Sequence, residues 1–374
     1  MKNILVVGDF LYGSGLTRFI LDTFSKIDKS KIKIDVLNIS GSHEMDEEIR
    51  EIGWNMYYIF PANQGLKKHL KEFKLFLKSY GHKYDAIHFN YSALWNFMPI
   101  LYAKKYNVKN IVMHSHNTYF SNVSSKKYVM FVLNILHKIG RKIVEKSCSG
   151  FFACSEDAAE WFYSKRIIKS SRMKIIKNGI NLGNYSFDQK TRDYMRSEMN
   201  LEGKFVVGHI GVLESRKNQE FLIKIFKEVL DKRGNAVLLL IGEGSLKSKY
   251  KELVKSLGIE KSVFFLGIRN DIEKLLQVMD VFVFPSVTEG FGIVLVEAQA
   301  SGLICLSSKN VPKEAFCTDL VYPISLRYPS KWVEQILKIP GDYDRHLNKN
   351  EINLRVYDIN KTARDIEDFY LALN

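Results

Sequence analysis

Residues that could carry chemistry concentrate in the stretch Pro285–Gly302, where two acids flank the start of a predicted helix. A buried strand over Val281–Phe284 ends in a glycine-containing loop, and the helix is expected to begin near Gly292 or Ile293. Glycine lets a ligand approach the backbone closely, and the first amides of a helix have no partner inside it. A corner of this kind is suited to binding a diphosphate.

The two acids of this stretch are Glu289 in the loop and Glu297, which lies eight residues further on in the helix. Carboxylates repel phosphate, so beside such a corner they are better suited to accept hydrogen bonds from sugar hydroxyls. Glu297 follows the apolar run Val294–Val296, and an acid in apolar surroundings needs a partner, which favours a functional role. Glu289 alone would be an ordinary loop charge, but its place beside the glycines favours function.

Polar residues also follow two predicted strands in the first half of the chain. The loop at residues 12–17 follows the strand Ile4–Val7, and its backbone amides could reach a phosphate, although its glycines do not form the GxGxxG pattern of dinucleotide enzymes. His114 and His116 follow the strand Asn110–Met113. On an extended chain their imidazoles are expected to face opposite sides, and no third ligand is evident, so no metal site is predicted. A polar strand end without a role stays an alternative.

A lysine-rich amphipathic helix is predicted over Leu66–Lys78, with one apolar stripe made by Leu66, Leu70, Phe73 and Leu77. Most such helices pack their stripe on the core and leave their lysines in water. The alternative is that this helix docks on anionic lipid.

Composition restricts the remaining classes of function. The net charge of +14 attracts anions, but no run of five basic residues occurs, so nucleic acid is not expected as a partner. The four cysteines form no CxxC pair, which argues against zinc and is compatible with buried thiols in a reducing cytosol. The amino terminus lacks the features of a signal peptide and no apolar run approaches eighteen residues. The expected location is therefore cytoplasmic, with peripheral attachment to the inner face of the membrane as an option.

The elements that must position these residues are short apolar runs alternating with amphipathic segments, which predicts parallel sheets with helices on both faces. The predicted strands are Ile4–Val7, Ile34–Leu37, Ala86–Phe89, Asn110–Met113 and Gly150–Ala153 and then Phe205–Ile210, Val237–Ile241, Val263–Leu266, Val281–Phe284 and Ile304–Ser307. The fold class is α/β, with two Rossmann-like domains facing a cleft. We predict domains at 1–183 and 204–354, joined by the polar stretch 181–203. The terminal helix 359–373 is a candidate to pack back on the first domain. Ligands of such sheets bind beyond the carboxyl ends of the strands.

A family resemblance rests on the run from Glu289-Gly290-Phe291-Gly292 to Glu297-Ala298. It resembles the acid-x7-acid motif of the retaining glycosyltransferases of family four. Further segments follow in the order of that family, namely Gly211–Gln219, Ile241–Leu246, Phe265–Asp271, Cys154-Ser155 and Asn178–Ile180. The resemblance covers about residues 1–320 and is nearest to members that build capsule and exopolysaccharide repeat units. It implies the GT-B architecture, a nucleotide-diphosphate sugar as donor, and neither a cofactor nor a required metal.

The resemblance also implies roles, with catalytic ones for His114, Lys217 and Glu289. Lys217 would stabilise charge on the leaving diphosphate, Glu289 would bind sugar hydroxyls, and Glu297 would bind ribose hydroxyls. The residues expected to bind the donor are Gly15, Arg216, Lys217, Ile268, Arg269, Glu289, Gly290, Phe291, Gly292, Ile293, Val294 and Glu297. The residues expected on the acceptor side are Ser14, His116 and Asn117.

The chain departs from the family pattern at two places. Where the family usually has Gly-Arg, this chain has Gly211-Val212, so one arginine of the phosphate clamp is missing and Arg216 is a candidate replacement. Where the family commonly has Gly-Gly and a following Glu, this chain has Ser14-Gly15 and Thr17.

The predicted reaction is transfer of a sugar, expected from a UDP-sugar, to a hydroxyl of a lipid-linked saccharide or other saccharide acceptor, with retention of anomeric configuration as the resemblance implies. Two alternatives stay open. One is a nucleotide-sugar epimerase of the same architecture, and the other is an inactive protein that binds nucleotide sugars or anionic lipid.

Overall fold

The computed structural model describes residues 1–117, 120, 127–346 and 351–373. The chain divides into two compact units, Met1–Gly179 with Ile359–Asn374, and Ile180–Asp358. The division at Gly179 differs from the predicted domain end at 183. The stretch 181–203, predicted as a connection, contains two helices of the second unit. The sequence pattern does not predict these helices, because their segment is polar and has too few apolar residues to show a helical period.

The first unit is built on a sheet of seven strands, all parallel to their neighbours. Its strands are β1 Lys2–Gly8, β2 Ile32–Asn38, β3 Asn55–Tyr58, β4 Ala86–Tyr91, β5 Asn110–Ser115, β6 Gly150–Ala153 and β7 Met173–Ile175. Its helices before the division are α1 Gly15–Phe24, α2 Asp46–Ile52, α3 Leu66–Tyr80, α4 Met98–Lys105, α5 Lys127–Ser147, α6 Glu156–Phe162 and α7 Lys165–Ile168. The strand order is β3-β2-β1-β4-β5-β6-β7, so the order reverses between β1 and β4.

The second unit has a sheet of six parallel strands in the order β10-β9-β8-β11-β12-β13. These strands are β8 Phe205–Ile210, β9 Ala236–Ile241, β10 Val263–Gly267, β11 Val281–Phe284, β12 Ile304–Ser308 and β13 Val321–Ile324. The helices are α8 Leu182–Tyr185, α9 Gln189–Glu198, α10 Gln219–Lys232, α11 Lys247–Ser256, α12 Ile272–Val278, α13 Ile293–Ala300, α14 Pro329–Lys338, α15 Glu351–Leu354 and, returning to the first unit, α16 Ile359–Leu371. The predicted α/β class with two doubly wound parallel sheets is confirmed.

Both sheets are buried on two faces, which explains why their central strands are apolar throughout rather than alternating. In β1, Leu5 and Val7 join one core cluster while Ile4 and Val6 join another on the opposite face. The helix α16 completes this second cluster with Ile366 and Tyr370. The terminal helix thus supplies part of the core of the first unit.

The amphipathic helix α3 packs its stripe inward, because Phe73 and Leu77 are buried in the core of the first unit. This is the packing expected of most amphipathic helices, although Leu66 at the start of the stripe is 44% exposed. The alternative that Leu66–Lys78 docks on anionic lipid stays a prediction. The lysines of this helix stay on its exposed side. Among the described residues, no helix is both long enough and apolar enough to cross a membrane.

Candidate functional site

The strand–loop–helix corner of the second unit lies at the carboxyl end of β11. Gly292 precedes α13 with a left-handed φ of 88°, and a Cβ there would lie 3.1 Å from the ring of Phe284, so only glycine fits without strain. No described side chain caps the amides of this helix by a hydrogen bond. Phe291 and Val294 pack their side chains in the core, which leaves only their backbone for a ligand. The corner thus presents bare peptide nitrogens.

A buried ion pair lies beside this corner and joins two predicted catalytic residues. Lys217 Nζ is 2.7 Å from Glu289 Oε1, and both side chains are nearly inaccessible to solvent. The ammonium also lies 4.7 Å from the centre of the Phe284 ring. Burial lowers the pKa of Lys217, an effect that Glu289 opposes. A carboxylate oxygen can accept two hydrogen bonds, so Oε1, which contacts the Lys217 ammonium, retains the capacity to accept one from a ligand.

Two hydrogen bonds join the loops that carry this ion pair. The Val287 N–H donates to the Arg216 carbonyl at 2.7 Å, and the side-chain amide of Asn218 donates to the Pro285 carbonyl at 3.1 Å. Asn218 itself has a left-handed φ of 59°, a conformation that asparagine tolerates better than most residues. The loop after β8 is thereby tied to the loop after β11, the neighbouring strand.

Arg216, the candidate replacement for the missing family arginine, lies beside the same carboxylate as Lys217. Its Nη1 lies 3.4 Å from Glu289 Oε2, and its Nε lies 3.3 Å from Glu214 Oε2. Its side chain is partly exposed, in contrast to that of Lys217. Val212, at the position of the missing arginine, accepts a hydrogen bond on its carbonyl from the Gln219 amide at 2.9 Å. Arg216 therefore brings a second cation to the same carboxylate.

Three buried polar residues at this corner were not predicted. His209 Nδ1 lies 2.9 Å from the Val283 carbonyl, and burial lowers the pKa of His209 to about 4. Ser286 Oγ and Gln219 Oε1 are buried and find no partner among the described residues. Ser286 could have been found from its position directly after the strand. His209 lies inside an apolar strand, where nothing in the sequence distinguishes it from a core residue.

Glu297 has an environment different from that of Glu289. It is half-buried on α13, and the Tyr185 hydroxyl donates to its Oε1 at 3.0 Å. Tyr185 belongs to α8, in the segment that the sequence assigned to a connection, so this partner was missed.

Ile268 and Arg269 lie beyond β10, two strands away from β8 in the sheet order. Arg269 is paired with Asp271, its Nε 2.8 Å from Oδ1 and its Nη2 2.6 Å from Oδ2. Ile268 is exposed. These residues share the carboxyl edge of the sheet with the corner but engage other neighbours.

Three histidines cluster in the first unit at the carboxyl ends of β4 and β5. His88 Nε2 lies 3.2 Å from His114 Nδ1, and the Tyr370 hydroxyl of α16 lies 2.6 Å from His88 Nδ1. His114 and His116 lie on the same side, with ring centres 4.0 Å apart, so the expectation of opposite faces is wrong. Side chains alternate along an extended chain with a period of two, so residues 114 and 116 share a face, which the expectation overlooked.

The histidine cluster is uncharged and has free hydrogen-bonding atoms. Burial lowers the pKa of His88 and of His116 to about 3, and that of His114 far below its usual value. His116 Nε2 lies 2.9 Å from Asn90 Oδ1. Buried atoms without a partner in the described residues are His114 Nε2, His116 Nδ1 and the hydroxyl of Tyr91. Buried polar atoms normally have partners, so these three atoms are candidates to bind a ligand.

In the loop before α1, Ser14 has a structural role, whereas the backbone at Gly15 is open. The Ser14 hydroxyl caps α1 by accepting the Thr17 N–H at 3.5 Å, and Thr17 Oγ1 accepts the Leu11 N–H at 2.9 Å. A Cβ at Gly15 would meet nothing within 4 Å, so no described atom crowds this backbone. Asn117 is half-buried at the end of a described segment, and residues 118 and 119 lie outside the described residues. Within the described residues, no group of three or more His, Cys, Asp or Glu could hold a metal ion.

Family models match both units of the chain. The model for Glycosyltransferase Family 4 matches residues 13–184, and the model for glycosyl transferases group 1 matches residues 191–317. The chain is 28% identical to EpsF of Bacillus subtilis, which is assigned as a glycosyltransferase, over 90% of this chain and 87% of EpsF. It is 25% identical to the UDP-Gal:alpha-D-GlcNAc-diphosphoundecaprenol alpha-1,3-galactosyltransferase of Escherichia coli, over 65% of this chain and 62% of that enzyme.

A solved structure with the same fold is that of Anabaena HepE in complex with UDP and glucose. It superposes with a TM-score of 0.77 over 100% of both chains at 18% sequence identity. This likeness gives the two Rossmann-like sheets the GT-B fold. The two family models, which between them match residues 13–184 and 191–317, show that the chain belongs to the glycosyltransferases and is an enzyme that transfers sugars, with its first unit of the Family 4 type.

Proposed function

We propose that this glycosyltransferase moves a sugar from a UDP-sugar to a hydroxyl of a lipid-linked saccharide, with retention, during surface polysaccharide synthesis. The observation that carries the proposal is the buried Lys217–Glu289 pair beside the uncapped start of α13. The Escherichia coli relative acts on a sugar attached to diphosphoundecaprenol, and HepE binds UDP and glucose. The resemblance to family members that build capsule and exopolysaccharide repeat units supports a surface polysaccharide as the end product of the pathway.

On the donor side, the diphosphate would lie against the amides of Ile293 and Val294, with Lys217 and Arg216 beside it. Helix amides and the helix dipole favour an anion here, and both cations counter the charge that grows as the diphosphate leaves. Because Lys217 is buried, it has little room to reorganise during the reaction. Ser286 Oγ, which lacks a described partner, can donate to the same ligand.

The two acids would bind hydroxyls at different parts of the donor. Glu289 retains acceptor capacity at Oε1 and would take hydroxyls of the transferred sugar. Glu297 together with Tyr185 would take ribose hydroxyls. The exposed loop at Ile268 and Arg269 would contact the base.

His114 would donate a hydrogen bond to the transferred sugar. The buried hydroxyl of Tyr370 needs an acceptor, and His88 Nδ1 at 2.6 Å is suited to be that acceptor. His88 then carries its proton on Nε2 and donates to His114 Nδ1, so the proton of His114 is on Nε2. This relay, Tyr370–His88–His114, would hold a buried N–H donor ready for a sugar oxygen.

The neutral histidines are unsuited to act as general acids near neutral pH, so proton transfer is assigned to the donor itself. The bond from the anomeric carbon to the leaving phosphate oxygen breaks, and a bond to the acceptor oxygen forms on the same face. The proton of the acceptor hydroxyl passes to the leaving phosphate oxygen. Ser14, His116 and Asn117, together with Asn90 and Tyr91, would form the acceptor side.

The test is reaction of the protein with radiolabelled UDP-sugars and a lipid-diphosphate saccharide acceptor, followed by NMR of the new linkage. The proposal predicts transfer with the anomeric configuration of the donor retained. An inverted linkage would refute the stereochemical part. Binding of UDP-sugars without transfer to any acceptor would instead favour a binding protein, and conversion of free UDP-sugar without an acceptor would favour an epimerase.

A further inference from the structure

The long helix α5 presents an apolar face to solvent. Large apolar side chains between 43% and 67% exposed recur along it at helical spacing, and they are Tyr128, Phe131, Val132, Ile135 and Ile139. Spacing of three and four residues places all five on one line along the helix. Contiguous exposed apolar surface of this kind marks a site of interaction with a protein or a membrane. We call these five residues the α5 face.

Lysines surround and extend the α5 face. Lys138 and Lys142 are exposed beside it, and Lys146 continues the same line about two turns beyond Ile139. Lys127 stands at its start. The acid of this helix, Glu145, is only partly exposed and is paired with Arg166, whose Nη2 lies 2.7 Å away. Among the residues that the structure describes, no acid forms an ion pair with these lysines, and apolar side chains beside such lysines fit a surface that is both apolar and negatively charged.

The opposite side of α5 is fixed to the first unit, so the α5 face cannot turn inward. A Cβ at Gly140 would lie 2.2 Å from the Leu94 carbonyl oxygen, which shows how closely the helix approaches its neighbour. His137 accepts the Leu94 N–H on Nδ1 at 3.0 Å, and its Nε2 lies 2.9 Å from the Trp161 carbonyl. Burial keeps the pKa of His137 below its usual value.

We propose that the α5 face lies on an anionic bilayer surface, with its apolar side chains among the acyl chains and its lysines at the headgroups. The helix is too charged to cross the bilayer. A second copy of the chain is a poorer occupant, because two copies of this face would bring their lysines together without acids to pair them. We place this contact on α5 rather than on α3, because Phe73 and Leu77 of the α3 stripe are buried whereas the apolar side chains of the α5 face are exposed.

The test is sedimentation with vesicles of phosphatidylcholine, alone or with phosphatidylglycerol, in the absence of donor and acceptor. Because no reaction is involved, the result can be interpreted even if the proposed function fails. Wild-type protein is expected to bind the anionic vesicles and to leave the neutral ones largely unbound. The double variant Phe131→Ser/Ile135→Ser should weaken binding at least about tenfold, since both side chains lose apolar burial. Lys138→Ala/Lys142→Ala should weaken it roughly fivefold per lysine at low ionic strength.

Matched controls come from α3. Leu75→Ser removes an apolar side chain that is also exposed, and Lys71→Ala/Lys74→Ala removes two exposed lysines. All these substitutions are on the surface, so unchanged thermal melting confirms intact folding. Binding that survives the α5 variants, or that depends equally on the α3 variants, would overturn the proposal. Failure of the wild-type protein to bind anionic vesicles would also overturn the proposal. The same holds if sedimentation velocity shows a concentration-dependent dimer that Phe131→Ser/Ile135→Ser abolishes.

Discussion

The polar residues at the strand ends of the two units differ in electrical character. In the second unit, the corner after β11 holds two cations on one acid, Lys217 and Arg216 on Glu289. In the first unit, the strand ends hold neutral hydrogen-bonding groups, because burial suppresses protonation of His88, His114 and His116. Charge suits a leaving diphosphate, whereas neutral donors and acceptors suit sugar hydroxyls. On the proposed function, the anionic part of the substrate would therefore bind at the second unit.

The largest effect should come from Lys217→Met. Loss of a buried cation at the leaving group should lower kcat roughly 10²–10³-fold, the range seen when one preorganised charge-stabilising group is removed. The same variant leaves Glu289 buried without its partner, which should destabilise the second unit by about 3–5 kcal/mol. The control is Lys217→Met/Glu289→Gln, which should recover thermal stability but not activity. Recovery of activity in that double variant would contradict a catalytic role for Lys217.

Arg216→Met tests whether Arg216 replaces the missing clamp arginine. Its partly exposed side chain is screened by water, so we expect a smaller loss of about tenfold in kcat/KM. Introducing the family arginine through Val212→Arg in that background should restore part of the loss. If Arg216→Met has no effect on UDP-sugar turnover while Val212→Arg raises it in the wild type, then Arg216 is no replacement.

Acid should weaken the first unit more than the second. Above the unfolded pKa of about 6.5, a histidine with a lowered pKa in the folded state does not change the free energy of unfolding. Below that pH the protein loses stability, because the unfolded chain binds protons that the folded chain does not. At pH 5 the loss is up to about 2 kcal/mol per histidine. The cluster of the first unit contains three such histidines, and the second unit contains His209, whose pKa is about 4. Burial raises the pKa of Asp9, which acts in the opposite direction.

This difference can be measured by urea unfolding at pH 7.5 and pH 5, following an amide-resolved probe in each unit. The midpoint of the first unit should fall further on acidification. Equal shifts in the two units would show that the histidine cluster is not held neutral by burial.

The smallest effect is expected from Tyr370→Phe, which removes the first hydroxyl of the relay Tyr370–His88–His114. Loss of one neutral hydrogen bond is worth about 1 kcal/mol, so kcat should fall between about fivefold and tenfold. Nitrogen-15 NMR of the histidines should show His114 changing its tautomer, a readout that a merely structural role of Tyr370 would not produce. Tyr250→Phe, at a buried tyrosine of α11, is the matched control. An unchanged tautomer in Tyr370→Phe would end the case for the relay.

The sequence predicted the sheets and the donor corner because both depend on local patterns. Apolar runs marked the central strands, and glycines with acids marked the loop before α13. Partners that come from far along the chain were missed, such as Tyr370 for His88, which is 282 residues away. The spacing of apolar residues also does not predict which amphipathic helix buries its apolar stripe. The helices α3 and α5 have similar patterns, but only their neighbours determine that Phe73 is buried and Phe131 is exposed.

The most direct test of the donor assignment is a crystal structure of the protein with an intact UDP-sugar. The account predicts diphosphate oxygens within about 3 Å of the amide nitrogens of Ile293 and Val294 and of Lys217 Nζ, with sugar hydroxyls on Glu289. A diphosphate bound away from the start of α13, or a donor held among the histidines of the first unit, would contradict it.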